Sequence, residues 1–297
     1  MNYFQKVQTF LEQNSQNKKI IVVYGPTACW KTWLGIEIAK YLDTEILSTD
    51  SRQIFQYLNI GTWKVTKRET QGIPHHMIDI ISPDKNYSVW EFKYAADKII
   101  TSLHEQGKIP ILVWWTGLYI DSLMYDFDIP KVPADEELRQ ILEREAKEFW
   151  KWFVYEKLKA LDPEYALEVH PNNLNYVIRG IEVKILTGKS KKDFQTEKKF
   201  RYDTLLLTPY DGNRDVLYEK INFRVEKMFE DGLIEEVENI LKMWYKKTDF
   251  WLKTIGYEEV IAYLEGKYTL SECITKVQQW NRNYAKRQLT WFSKYKQ

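Results

Sequence analysis

A phosphate-binding loop near the start of the chain restricts the fold more than any other feature of the sequence. The octapeptide GPTACWKT, from Gly25 to Thr32, follows a short β-branched run, KIIVVY at Lys19–Tyr24, and precedes a helix-like stretch at Leu34–Leu42. Strand, loop and helix in this order open the α/β folds that hold a phosphate on backbone amides at a helix N-terminus. We therefore expect an α/β protein with a phosphate site at this loop.

The loop supplies several groups that suit a phosphate, and one residue that does not. Its backbone amides can wrap the anion, Lys31 adds a cation, and the hydroxyl of Thr32 can bind Mg²⁺. The signature has glycine before the lysine, whereas this chain has Trp30, whose indole is expected to crowd the anion. On the octapeptide alone, a turn with a helix-capping threonine remains an alternative. The predicted diphosphate or nucleotide contacts are Gly25, Pro26, Thr27, Ala28, Cys29, Trp30, Lys31 and Thr32.

Other apolar runs predict further strands of one parallel sheet. They are Glu45–Ser48, Ile109–Val113 and Thr204–Leu207. Polar residues that follow two of them, Asp50 and Thr116, are expected at the carboxyl edge of the sheet, where such folds bind their ligands. The sequence thus predicts a P-loop NTPase-like parallel sheet core flanked by helices.

The middle of the chain has a different character. Residues 126–197 are charged, apolar at helical spacing and free of glycine until Gly180, which predicts a helical insertion. The catalytic core is expected to comprise residues 1–125 and 198–297. Two long helices are predicted in its last part, at Asp215–Lys242 and Thr269–Lys294.

Composition restricts the partners and the compartment. The net charge of the 297-residue chain is +1, so a nucleic acid would have to be held by local basic patches. Two cysteines, Cys29 and Cys273, give no disulfide framework and favour a reducing compartment. No run approaches the roughly 20 apolar residues of a membrane span. We expect a cytoplasmic protein with no membrane partner.

Short motifs spread along the chain carry a resemblance to a known family. They are Asp50-Ser51-Arg52-Gln53, Pro74-His75-His76, His170-Pro171-Asn172 and YAKRQLTWF at residues 284–292. In this order, and over nearly the whole chain from Lys19 to Phe292, the series resembles the bacterial tRNA dimethylallyltransferases, also called tRNA isopentenyltransferases. The loop is common to many families, ATP-binding proteins among them, but the combination with the other motifs is much more specific.

The resemblance implies a reaction, a cofactor and partners. The family moves a dimethylallyl group from dimethylallyl diphosphate to the exocyclic amine of the adenosine 3′ of the tRNA anticodon. It implies Mg²⁺ as cofactor and the anticodon stem-loop of tRNA as partner, and we expect a monomer. The implied catalytic residues are Asp50, which accepts the amine proton, and Lys31, Thr32 and Arg224, which act on the diphosphate.

The resemblance also implies the residues that meet tRNA. They are Asp50, Ser51, Arg52, Gln53, Thr116, Arg139, Asn175, Arg179, Lys253, Gly256, Tyr257, Lys286, Arg287 and Gln288. Considered without the resemblance, several have ordinary alternatives. Asp50 would suit a structural or Mg²⁺-bound carboxylate, Arg224 a surface arginine, and Thr116 a turn cap.

Tryptophan stands at several positions where the resemblance implies glycine. These positions are Trp30, Trp114, Trp115 and Trp244, whereas Trp291 matches a family tryptophan. Trp33, Trp63 and Trp90 also stand where small residues would fit. One hypothesis covers all of them: the codon UGA, translated here as tryptophan, is read as glycine in the source genome. The chain has 12 tryptophans and 12 glycines, and 12 + 12 = 24 is close to the usual glycine share of about 7%.

Three other functions compete with prenyl transfer to tRNA. A P-loop small-molecule kinase would need ATP but neither the helical insertion nor the last helix. An enzyme that prenylates free adenine nucleotides would not need the insertion either. A non-catalytic tRNA-binding homologue would be favoured if the tryptophans were real. A zinc site at His75 and His76 is not expected, because neighbours in a strand point to opposite faces.

Overall fold

The computed structural model describes residues 2–114, 116–125, 129–130, 132, 135–194, 199–247 and 249–295. Trp115, one of the tryptophans at an implied glycine position, lies outside these residues. Within the described ranges, none of the helices combines the length and the apolarity that crossing a lipid bilayer requires.

The described residues form a mixed α/β structure. The strands are β1 (Lys19–Val23), β2 (Ile46–Thr49), β3 (His75–His76), β4 (Ile111–Trp114) and β5 (Asp203–Leu207). The helices of the first half are α1 (Tyr3–Glu12), α2 (Lys31–Leu42), α3 (Val89–Glu105), α4 (Gly117–Met124), α5 (Glu136–Glu148) and α6 (Trp150–Leu161). Those of the second half are α7 (Pro163–Ala166), α8 (Leu174–Thr187), α9 (Arg214–Glu230), α10 (Leu233–Lys242), α11 (Tyr257–Leu264) and α12 (Leu270–Phe292).

The five strands make one parallel sheet in the order β3-β2-β4-β1-β5. The predicted α/β class and the four predicted strands are confirmed, each within two residues of its expected bounds. Ile20 to Val23 of β1 are wholly buried, as expected of a central strand covered on both faces. His75 and His76 lie in β3, and no cluster of three or more metal-binding side chains occurs among the described residues.

Apolar side chains from the sheet and from two helices make the core beneath the loop. Val7 and Phe10 of α1 pack with Leu34 and Ile38 of α2 against the buried residues of β1 and β4. Val7 and Phe10 are the buried residues of α1 and form the face that it packs here. This packing holds the C-terminal end of β1 and the N-terminal end of α2 in place, and the phosphate-binding loop joins these two ends.

The chain divides into two compact units. One comprises residues 1–87, 93–124 and 201–297 and contains the sheet, and the other comprises residues 88–92 and 125–200 and contains α5 to α8. The second unit has its own core, in which Leu142, Val154, Leu158 and Val177 are buried. It therefore buries apolar surface independently of the sheet.

The prediction of one long helix at Asp215–Lys242 is wrong. The structure has two helices, α9 and α10, separated at Asp231 and Gly232. Gly232 has φ 99°, a left-handed conformation that ends α9 and is cheap only for glycine. Buried apolar residues recur every three or four positions in both helices, and for that reason the sequence pattern continued across the break.

Candidate functional site

The phosphate-binding loop has a backbone shaped for an anion. It runs from the end of β1 to the first turn of α2, and its residues Ala28 and Trp30 have φ of 62° and 65°. Alternation of right- and left-handed residues turns successive N–H groups toward one side and forms a concave anion seat. The N-terminus of α2 adds the positive end of its dipole. The indole of Trp30 is 65% exposed.

Lys31 is a buried cation within this loop. Its side chain is 2% exposed, and its Nζ donates to the carbonyl of Pro26 at 2.5 Å and lies 3.9 Å from the Sγ of Cys29. Burial lowers the pKa of the Lys31 ammonium to about 8, and the charge of Arg224 also lowers it. A poorly solvated cation is stabilised by a nearby anion.

Arg224, on α9, is the second cation at the loop. Its Nη1 donates to the hydroxyl of Thr27 at 2.9 Å, and its guanidinium lies 4.7 Å from the ring centre of Trp63. Burial lowers the pKa of Arg224 to about 10. Because the charge of Arg224 lowers the pKa of Lys31, an anion between the two cations would stabilise both.

Asp50 is a buried carboxylate at the end of β2. It is 6% exposed, and its Oδ1 accepts the N–H groups of Arg52 at 2.7 Å and Gln53 at 3.4 Å. Burial raises the pKa of the Asp50 carboxyl, although the two amides and the charges of Arg52 and Lys31 oppose the rise. A carboxylate with a raised pKa is a better proton acceptor near neutral pH.

The hydroxyl of Thr116 connects the ends of two neighbouring strands. It accepts the N–H of Ser51 at 2.9 Å and donates to the Ser51 hydroxyl at 3.0 Å, and the Thr116 amide donates to Thr49 of β2 at 3.1 Å. A hydrogen bond also links it to Tyr284 of α12, whose pKa is raised by burial and by the charge of Asp50. Thr116 is therefore more than a turn cap, because it aligns the segment that carries Asp50.

Arg52 and Gln53 have different surroundings. The guanidinium of Arg52 lies 5.0 Å from the ring centre of Phe250, and its Nη1 is buried without a hydrogen-bond partner among the described residues. Gln53 is 4% exposed, and its amide bonds with Ser48 at 3.3 Å and with the carbonyls of Thr62 and Trp63. Arg52 thus offers a donor, whereas the Gln53 side chain is occupied in holding the neighbouring loop.

The last helix, α12, reaches the loop through Gln288. This side chain is 5% exposed, and its Oε1 accepts the N–H of Thr27 at 2.8 Å. Lys286 and Arg287 of the same helix are exposed, as is Lys253, which lies over Phe250. One helix therefore combines a direct contact with the phosphate-binding loop and two cations that face solvent.

Tyr257 lies in the core, where it has no surface for direct contact with RNA. It is fully buried, its hydroxyl donates to Glu236 at 2.6 Å, and it packs edge-on to Trp251. Gly256 precedes it at φ 101°. A side chain at Gly61 would come within 2.3 Å of the Tyr257 ring, so glycine is needed there for close approach. Both implied tRNA-contact positions therefore belong to a supporting layer.

Glu236 is a supporting residue that no sequence pattern identified. Its carboxylate accepts the N–H groups of Asn59, Ile60 and Gly61 at 3.0, 2.8 and 3.1 Å, in addition to the Tyr257 hydroxyl. It lies in an amphipathic helix among other acidic residues, so its chain position is not distinctive. The partners come from a loop about 175 residues earlier.

We expect Glu236→Ala to destabilise the protein by roughly 2–3 kcal/mol, because three backbone amides would lose a charged acceptor. Glu235→Ala is the matched control, since Glu235 is an exposed carboxylate in the same turn of α10. Chemical denaturation of both variants measures the difference. Equal midpoints for the two would contradict the role given to Glu236.

The second unit contains three of the implied tRNA contacts. Arg139 donates from Nε and Nη2 to Glu182, each at 2.8 Å, and Arg179 also donates to this wholly buried carboxylate. Burial alone would raise the pKa of Glu182, but the hydrogen bonds from both arginines and from Asp135 lower it overall. Asn175 is exposed on α8. Both arginines are thus fixed by one carboxylate within this unit.

Comparisons with known proteins give one consistent family. A family profile described as IPP transferase matches residues 53–295. A tRNA dimethylallyltransferase of Alkaliphilus oremlandii is 47% identical over 94% of this chain and 89% of its own length. One from Caldanaerobacter subterraneus subsp. tengcongensis is 43% identical over 93% of this chain and 89% of its own.

Solved structures are similar as well. A tRNA Δ(2)-isopentenylpyrophosphate transferase of Staphylococcus epidermidis has a TM-score of 0.66 and 39% identity, and the match covers 93% of this chain and 90% of that one. A eukaryotic dimethylallyltransferase, whose structures are described as snapshots of the enzyme acting on tRNA, has a TM-score of 0.80 and 28% identity. That match covers 93% of this chain and 70% of the eukaryotic one.

Proposed function

The chain belongs to the IPP transferase family, and from this premise we propose that it transfers a dimethylallyl group from dimethylallyl diphosphate to N6 of the adenosine 3′-adjacent to the anticodon of tRNA. Diphosphate is the second product. The observation that carries the proposal is an arrangement at the carboxyl edge of the parallel sheet. A buried carboxylate, Asp50, follows β2, and a buried cation, Lys31, lies on the loop that follows β1. Each charge shifts the pKa of the other.

The acceptor amine needs a proton acceptor. The lone pair of an adenine amine is delocalised into the ring, so the amine is a weak nucleophile. As the bond forms between N6 and the first carbon of the prenyl group, an N–H proton passes to the carboxylate of Asp50. Its buried setting, which raises its pKa, suits this step.

The donor needs stabilisation of a leaving group. When the carbon–oxygen bond breaks, negative charge grows on the diphosphate, and Lys31, Arg224 and the loop amides offer positive partners for it. Preorganised donors of this kind are commonly the largest single contribution to catalysis. Lys31 is buried, Arg224 is partly buried, and hydrogen bonds orient both, so little reorganisation is needed.

Mg²⁺ fits the oxygen groups at this site. Thr32, in the first turn of α2, would hold the ion together with diphosphate oxygens, which is the way that Mg²⁺ is usually bound beside phosphates. When bound, the ion would neutralise diphosphate charge.

The acceptor base must leave its stack in the anticodon loop to reach a buried carboxylate. The buried Nη1 of Arg52 supplies a donor for the extruded nucleotide, and Ser51 and Thr116 lie beside Asp50. The exposed cations Lys253, Lys286 and Arg287 suit phosphate contacts. Because net charge is only +1, such local groups must provide the attraction. Because tRNA is the proposed substrate, we propose that the protein acts in the cytoplasm. We also expect it to be a monomer.

A labelled-donor assay tests the function. Dimethylallyl diphosphate labelled in the prenyl group is incubated with the protein and an anticodon stem-loop RNA, and label should appear on the RNA only when adenosine follows the anticodon. A stem-loop with guanosine there is the control. The assay is run with the chain as translated and with glycine at positions 30, 114 and 115, and we expect faster transfer in the second case.

The same assay separates the other functions. If both the chain as translated and the glycine version bind RNA but transfer no label, the protein is a non-catalytic tRNA-binding homologue. Label on free adenosine monophosphate but not on RNA would identify a free-nucleotide prenyltransferase. Consumption of ATP with a phosphorylated product would identify a kinase. Each of these three results would overturn the proposal.

A further inference from the structure

We propose that positions 30, 63, 150 and 244 are glycine in the protein that its own organism makes, and that Trp251 and Trp291 are genuine tryptophans. The first four are encoded by UGA, which that organism reads as glycine, and the other two by UGG. The backbone of the folded chain separates the two groups, independently of any activity.

The four positions share a left-handed backbone. Trp30, Trp63, Trp150 and Trp244 have φ of 65°, 52°, 72° and 73°. In the part of the chain that the structure describes, four of the ten non-glycine residues with positive φ are tryptophan, although tryptophan accounts for only 12 of 297 residues. For a bulky side chain this conformation is an outlier, whereas glycine adopts it freely. The fold thus uses these tryptophans as it uses glycine.

The backbone at Trp244, after α10, has the same conformation as the backbone at Gly266, after α11. Beyond α10, the N–H of Trp244 donates to the carbonyl three residues earlier, on Leu241. Beyond α11, the N–H of Gly266 donates to Tyr263, also three residues earlier, and its φ is 73°, equal to that of Trp244. Left-handed glycine is the commonest residue after the end of a helix. The two helix ends therefore require the same residue type.

Most of these indoles bury little surface. Trp150 and Trp244 are 82% and 92% exposed, and Trp30 is 65% exposed. Tryptophan is usually among the more buried side chains, because its ring contributes a large apolar area. Trp63 is only partly buried, and its ring lies under the guanidinium of Arg224. Glycine there would remove this ring from a cation that we assign to the diphosphate.

Trp251 and Trp291 show how the fold treats a tryptophan that it needs. Trp251 is fully buried, and its Nε1 donates to the carbonyl of Lys246 at 3.2 Å. Trp291 is 37% exposed, but its ring packs so closely on Gly117 that a Cβ at Gly117 would lie 2.5 Å from the Nε1 of Trp291. Neither residue has positive φ. These two side chains provide matched internal controls for the other four.

Position 30 connects the inference to the phosphate-binding loop. It precedes Lys31 and is left-handed, at the place where the loop signature has glycine. Glycine there keeps the backbone amides in their observed directions without strain and leaves the approach to Lys31 open. The inference does not rest on the proposed function, because residue identity is measured without an activity assay.

Two measurements test the proposal. The gene should carry UGA at codons 30, 63, 150 and 244 and UGG at codons 251 and 291. Peptides of the protein from its own organism, analysed by mass spectrometry, should contain glycine at the first four positions and tryptophan at the last two. UGG at the first four codons, or tryptophan in those native peptides, overturns the proposal.

Thermal unfolding of recombinant protein gives a separate readout. Changing the first four residues together to glycine should raise the unfolding midpoint, because the strain of a left-handed bulky residue is removed. Trp251→Gly, the control, should lower it by leaving a cavity. A midpoint that falls for the fourfold variant as it does for Trp251→Gly would contradict the proposal.

Discussion

Asp50→Asn is expected to lower the rate of prenyl transfer about 10²–10⁴-fold, the usual contribution of a positioned proton acceptor. Asparagine keeps an oxygen that can accept the N–H groups of Arg52 and Gln53, so the turn should retain its shape. It cannot accept the amine proton. RNA binding, measured by gel shift, should therefore change little, while label transfer is nearly lost. The substitution is made in whichever of the two proteins of the stem-loop assay transfers label.

Asp43→Asn is the matched control for this variant. Asp43 is an exposed carboxylate at the end of α2 with φ 46°, a conformation that asparagine also tolerates. Transfer should remain at the parent rate. If Asp50→Asn transfers label as fast as Asp43→Asn, then Asp50 is not the proton acceptor and the mechanism must be revised.

The dependence of the transfer rate on pH also tests whether Asp50 is the proton acceptor, and the direction of the change can be predicted. Asp50 accepts a proton only when it is ionised, and burial raises its pKa above the usual value. The transfer rate should therefore rise with pH through the pKa of Asp50, at a higher pH than an exposed aspartate would give. The residual activity of Asp50→Asn should lack this rise. A rise that persists in the variant would assign the titration to another group.

Lys31→Met is expected to lower the transfer rate on the order of 10²–10³-fold, the effect of losing one donor to a developing anion. Methionine fills a similar length without charge, and Lys31 is only 2% exposed in the folded chain. Burial disfavours the charged form of Lys31 and lowers its pKa to about 8, so a neutral side chain there should leave the unfolding temperature the same or higher. Activity and stability should therefore change in different directions.

Lys40→Met controls for loss of a lysine from the same helix. Lys40 is exposed near the C-terminal end of α2 and pairs with Glu37 at 3.0 Å. Its replacement should leave both the transfer rate and the affinity for dimethylallyl diphosphate unchanged. Loss of activity in Lys31→Met together with a large fall in melting temperature would contradict a role confined to the diphosphate.

The sequence predicted those parts of the site that follow one another along the chain. Strand, loop and helix around Lys31 are local, and the apolar runs that become β2 and β4 end where Asp50 and Thr116 lie. Parallel strands share a carboxyl edge, so this neighbourhood could be inferred before any coordinates. The prediction of one long helix at Asp215–Lys242 was wrong. Apolar residues keep a helical spacing on both sides of the left-handed Gly232, so their pattern does not reveal the break between α9 and α10.

Contacts between distant segments were decided only by tertiary structure. Gln288 meets Thr27 across 261 residues, Arg224 meets Thr27 across 197, and Glu236 gathers a loop about 175 residues away. Each is an ordinary polar residue on an amphipathic helix, and its partner depends on how helices pack on the sheet. The pKa shifts of Lys31 and Asp50 likewise arise from burial, which local sequence does not specify.

The tryptophans illustrate both what the sequence predicts and what only the tertiary structure decides. The sequence alone indicated that Trp30 occupies a glycine position, since the loop signature is local. Trp150 carried no such signature and was identified only by its φ of 72°. Local order determined the strands, the loop and the identity of the chemical groups. Only the folded backbone decided which groups meet, which are desolvated, and where a residue without a side chain is required, because those properties depend on neighbours far away in the chain.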